Sequence, residues 1–144
     1  MRSLLAAIIL SAVVNVASAH EFAVGQVWTY HVRPGDEGST LQINRIDKDT
    51  KLGTIYHISV FGLHVSSPIA PGGFITELPH LPVSEQTLDK SVETLTSQPA
   101  RAVDYAPGYA AWKQAVDAGR GGIYTISVAE IAALLQKTMG GSSK

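Results

Sequence analysis

Five histidines and no cysteine set the chemistry that this chain of 144 residues can attempt. Without cysteine there are no disulfides, thiolate metal sites or cysteine nucleophiles. Imidazole remains as metal ligand or proton carrier. His20 stands directly after Ala17-Ser18-Ala19, a small-x-small pattern that a signal peptidase cleaves. Cleavage there would make His20 the first residue. A terminal amine and its own imidazole then offer two nitrogens suited to Cu(II). Oxygen- and sulfur-rich copper partners are missing, since Met1 and Met139 are the only methionines. We therefore read His20 as a solvated leader residue, expect no metal site and no cofactor, and keep copper at His20 as the alternative.

The other histidines fall into two groups. His31 and His57 lie in strand-like sequence, on the polar side of alternating segments. In an antiparallel meander that pairs Val32 with Leu41 and Ile43 with Ile58, they stand about 12 Å apart, from strand spacings of about 4.8 Å and 3.4 Å. A shared zinc would need both side chains fully extended towards each other, so solvated histidines on an open sheet face are the simpler reading. His64 and His80 fall in loop-like sequence and add no spacing argument.

Other motifs fail on their own terms. No serine sits in a nucleophile elbow. Asp47 and Asp49 resemble the start of a calcium loop, but Lys51 and Leu52 occupy positions that need an oxygen ligand and a glycine. The pair reads as a turn. Gly119-Arg120-Gly121-Gly122 lacks the lysine and hydroxyl ending of a phosphate loop and precedes a strand, not a helix. The charged cluster Arg33, Asp36 and Glu37 at a hairpin tip fits partner binding, because loops on a rigid scaffold carry recognition.

The elements that must position these groups follow from periodicity. Arg2, the apolar run Leu4 to Val16 and the small residues up to Ala19 have the order of a secretory signal. The run is shorter than the ~20 residues of a bilayer-spanning helix. We expect a signal peptide over 1–19, one domain over 20–139 and a flexible tail over 140–144. A cysteine-free exported domain points to a bacterial source and a periplasmic or secreted location. The net charge of −1 gives no case for nucleic acid, or for a membrane once the signal is removed.

Within the domain, alternation predicts strands at Gln26 to Arg33, Ser39 to Ile46 and Thr54 to Phe61. A bulge near Asn44 and Arg45 restores parity at Ile46. Glycine and proline crowd the segment from Ser66 to Pro82, which reads as irregular. Helices are expected from about Ser84 to Ser97, with Leu88, Val92 and Leu95 as its stripe, and from about Pro107 to Ala118. A short strand, Ile123 to Ile126, leads into a capping box, Ser127 answered by Glu130, and a last helix. Strands followed by helices mean α+β. The expected sheet has three to four antiparallel strands. Its Trp28, Tyr30, Ile43, Tyr56 and Ile58 face is covered by two to three helices, and its other face is open.

Phe22-x-Val24-Gly25-Gln26-Val27-Trp28-Thr29-Tyr30, then Arg33-Pro34-Gly35-Asp36-Glu37 and Ile55-x-His57-Ile58-Ser59-Val60, resemble a family of small uncharacterised bacterial proteins. The stretch Ala118 to Glu130 is similar to that family's C-terminal part, so the likeness spans nearly all of His20 to Gln136. It implies a shared fold and no catalytic residue. The family's pattern starts near Phe22, often without a signal peptide, which makes export a feature of this member. The sequence thus points to a non-catalytic exported module that binds a protein partner, in an immunity- or inhibitor-like role. The expected binding set is His31, Arg33, Asp36, Glu37 and His57. A metal-binding or enzymatic role built on the histidines is the alternative.

Overall fold

A computed structural model describes residues 20–140. The expected signal peptide and residues 141–144 of the expected tail lie outside them. The chain is α+β. Five antiparallel strands, β1 (Val27–Tyr30), β2 (Thr40–Asp49), β3 (Gly53–Ser66), β4 (Phe74–Ser84) and β5 (Val92–Leu95), lie in the order β4-β3-β2-β1-β5. Three helices accompany them: α1 (Glu85–Ser91), α2 (Ala106–Asp117) and α3 (Val128–Gly140). Among the described residues no helix is long and apolar enough to cross a membrane.

The first face is the expected one. Trp28, Tyr30, Ile43, Tyr56 and Ile58 are all buried there with Leu41 and Val60, under Leu88 of α1 and Val128, Ile131 and Ala132 of α3. The bulge falls where parity required it, between Ile43 and Arg45, so Ile46 pairs with Tyr56 and packs on the same core. The first hairpin is paired differently from expectation. Trp28, not Val32, stands opposite Leu41. That slip is an even number of residues, and an even slip leaves every side chain on its own face.

The expected strand Ile123 to Ile126 is reduced to a single bridge between Tyr124 and Val83, and three further differences have physical reasons. β3 continues past Phe61 because Gly62, at φ 78°, forms a bulge that flips the alternation and sends Leu63 and Val65 into the core. A Cβ at Gly62 would sit 3.3 Å from the Ser39 Cα, and so the site suits glycine twice over. The proline-rich segment is not irregular. It is the edge strand β4, where Pro79 and Pro82 are tolerated because an edge has one unpaired side. The expected helix from Ser84 ends at Ser91. Ser84 does cap it, accepting from the Thr87 N–H at 3.1 Å. Val92-Glu93-Thr94-Leu95 then pairs with the free edge of β1, since these residues fit a strand as readily as a helix turn. The capping box holds: Ser127 N–H donates to Glu130 at 2.8 Å and Glu130 N–H to Ser127 Oγ at 3.2 Å.

The second face is covered as well, contrary to expectation. The segment 96–105, which is neither helix nor strand, and helix α2 lie on it. Gln42 donates to Arg101 O at 2.9 Å and accepts from Arg101 N–H at 2.8 Å. The Arg101 guanidinium sits 4.3 Å over the Phe61 ring. Tyr109 and Trp112 of α2 pack edge-on against His57, with centroids at 4.9 Å and 4.7 Å.

Candidate functional site

Under α2, three strands contribute to one polar chain. The bulge in β2 directs Arg45 and Asp47 onto the second face, β3 supplies His57 and β4 supplies His80. Asp47 Oδ2 lies 3.0 Å from His57 Nε2, and His57 Nδ1 lies 2.9 Å from His80 Nε2. The two imidazole planes lie within 17° of parallel, with centroids 5.1 Å apart. Asp47 also accepts from Arg45 Nε at 2.9 Å and from the Tyr109 hydroxyl at 2.9 Å. Arg45 in turn lies 4.4 Å over the Tyr109 ring. On α2, Tyr109 and Trp112 are three residues apart and so share a helix face. Gly108 meets His80 where a Cβ would stand 2.7 Å away, so α2 approaches β4 more closely than any larger residue allows.

The charge states follow from these contacts. Burial raises the Asp47 carboxyl, but hydrogen bonds from Arg45 and Tyr109 and the Arg45 charge outweigh it and hold Asp47 below the usual carboxylate range. Burial depresses His57, and Asp47 offsets this only in part. Burial, together with neighbouring His57, lowers His80 to about 4. At neutral pH both imidazoles are neutral and Asp47 is charged. The Asp47–His57 contact is then a charge-assisted hydrogen bond, not a salt bridge.

The far end of this chain opens to solvent. His80, Leu81, Pro82, Trp112 and Gly122–Tyr124 line a cleft of about 400 Å³. One wall is held by Trp112 Nε1, which donates to Gly122 O at 2.8 Å. The turn before it starts at Gly119, at φ 73°, which stops α2 as its sequence suggests. On the far side of Leu81 and Tyr124, an apolar groove of about 450 Å³ runs between β4 and α3, lined by Leu78, Ile131, Leu134 and Leu135.

The expected binding residues are not gathered at one exposed place. His57 is 0% exposed, enclosed under α2. Asp36 is 1% exposed. It is held by Arg33 Nε at 2.6 Å and by the His64 N–H at 2.7 Å, while Arg33 also donates to His64 O at 2.9 Å. The hairpin tip therefore uses its charges to brace itself. Glu37 is exposed and accepts from Gly35 N–H at 3.0 Å, and that backbone bond holds its carboxyl below the usual range. His31 is exposed and pairs with Glu93 at 2.6 Å. His20 packs against the Trp28 and Phe22 rings at 5.3 Å and 5.9 Å. Asp49 closes its own turn, accepting from Lys51 and Leu52 N–H at 2.7 Å and 2.8 Å. Among the described residues no three His, Cys, Asp or Glu side chains are arranged to hold a metal ion.

Sequence reasoning missed Asp47, His80, Tyr109 and Trp112. Asp47 looked like part of a turn, and His80 sat in proline-rich sequence. Reading 74–84 as an edge strand would have set His80 near His57. No protein-family model, curated protein or solved structure matches this chain.

Proposed function

We propose that this chain is an exported, non-catalytic module that binds a protein partner, in an immunity- or inhibitor-like role. The observation that carries the reading is the open apolar groove between β4 and α3, where Leu134 stays 51% exposed beside exposed Tyr124. A protein presenting an apolar side chain fits such a groove, since apolar surface left in contact with water is recovered on association. Glu37 and His31 are exposed and belong to the proposed binding set. The likeness to the small bacterial family belongs to the same proposal.

Two experiments test it. Mass spectrometry of protein from an export-competent bacterial host should find His20 as the first residue, and intact Met1 in the exported fraction would overturn the export reading. Affinity capture from the native host should retain a specific protein that Leu134→Asp loses while its thermal transition is kept. An identical set of captured proteins with both baits, or none with either, would overturn the binding reading. The rival, a role built on the histidines, draws on the Asp47–His57–His80 chain. A 1:1 copper stoichiometry in processed protein, lost in His20→Ala, would put the copper form of that rival first.

A further inference from the structure

We propose that the cleft beside His80 is a small-molecule site for a neutral compound with an apolar ring or chain and one hydrogen-bond donor, and that His80 Nδ1 is the acceptor that selects it. This goes beyond the protein-partner reading and does not depend on it.

The argument rests on the order of protons along the chain. Ionised Asp47 only accepts, so the proton between it and His57 sits on His57 Nε2. A neutral imidazole carries one N–H, which leaves His57 Nδ1 bare. His57 Nδ1 must then accept, and the proton between the two rings sits on His80 Nε2. His80 is neutral in turn, so its Nδ1 is a bare lone pair. Among the described residues it has no hydrogen-bond partner, and it is not among the buried atoms left unsatisfied. Three strands and a helix thus fix the tautomer of one acceptor, set by a carboxylate two rings away, on a residue that lines the cleft.

The rest of the cleft states what else the ligand must be. Trp112, Leu81, Pro82 and Tyr124 supply flat and apolar walls. No Lys, Arg, Asp or Glu lines it. A carboxylate or phosphate would face a lone pair without a cation, and an ammonium would lose hydration without a counter-charge. A neutral hydroxyl, indole or amide donor meets neither penalty. The volume of about 400 Å³ lies within the range of small-molecule sites. Phenols, indoles and simple alcohols are the matching chemistry.

The probes are p-cresol and p-xylene, which share a shape and differ in the donor. Binding is read on the processed protein from Trp112 and Gly122 resonances at pH 7. We expect saturable shifts at both, with p-cresol binding about three- to tenfold more tightly, the effect of one neutral hydrogen bond. His80→Phe should abolish that preference while keeping the ring. Asp47→Asn should reduce it, because an amide can donate to His57 and reverse the order of protons. Below about pH 4, His80 takes up a proton at Nδ1, and the wild-type preference should vanish. Equal affinities in the wild type, no saturable shift at Trp112 and Gly122, or a preference that survives at low pH would each overturn the proposal, even if His80→Phe failed to fold.

Discussion

The two faces of the sheet are buried by different physics. On the first, Leu41, Ile43, Ile58 and Val60 pack under α1 and α3, and stability comes from apolar area removed from water. On the second, Val27, Ile55 and Phe61 are buried beside two hydrogen-bonded runs, one of Gln42, Asn44 and Ser59 that ends on Pro79 O, the other of Arg45, Asp47, His57 and His80. The covering elements differ accordingly. α3 inserts Val128, Ile131 and Ala132 fully, whereas α2 has no fully buried residue and is held by Tyr109, Trp112 and the polar groups beneath them. An apolar face tolerates small shifts because dispersion is non-directional. A polar face must satisfy each donor and acceptor, so removing one group strands its partner.

This contrast can be broken at graded cost. The largest effect belongs to the apolar face. Ile58 is 0% exposed at its centre, and Ile58→Ala should lower the unfolding free energy by about 2–5 kcal/mol in urea titrations. Next comes Arg33→Ala, at about 2–4 kcal/mol, because it leaves Asp36 buried with its charge answered only by the His64 N–H. A double-mutant cycle with Asp36→Asn should recover part of that loss; full additivity would refute the pairing.

Smaller effects separate the faces more sharply. His57→Phe keeps a ring under α2 but strands His80 Nε2–H, and should cost about 1–3 kcal/mol. Its pH signature is more telling than its size. The native state lowers His57 and His80 below the ordinary histidine value of 6.5, His80 to about 4. The unfolded chain therefore binds more protons between about pH 4 and 6.5. Stability should rise with pH across that window and level off above it. His57→Phe should flatten the rise, and Ile58→Ala should leave the slope intact; equal slopes in both variants would show that the second face is not the acid-sensitive one. Glu37→Ala should have the smallest effect, with no resolvable change in the melting temperature, since water replaces its contact with Gly35.

The same division explains what could be read in advance. Trp28, Tyr30, Ile43, Tyr56 and Ile58 announced the first face by alternation, and Ser127 with Glu130 announced the start of α3. Asn44 and Arg45 announced the bulge through the parity of Ile46. The pairing of Asp47, His57 and His80 had no such signal. They are far apart along the chain, and two of them sat in segments whose prolines and aspartates looked like turns.

Local pattern by itself determined the α+β class, the face of each central strand and the capping of two helices. These depend on residues within a turn or a strand length of one another, where periodicity and hydrogen-bonding side chains act directly. Tertiary structure alone decided that Val92–Leu95 joins β1, that the proline-rich segment becomes an edge strand, and that α2 closes the second face. Each of those outcomes depends on a partner outside the segment itself. A buried histidine and an exposed one look alike in sequence, because burial is a property of what lies across from them.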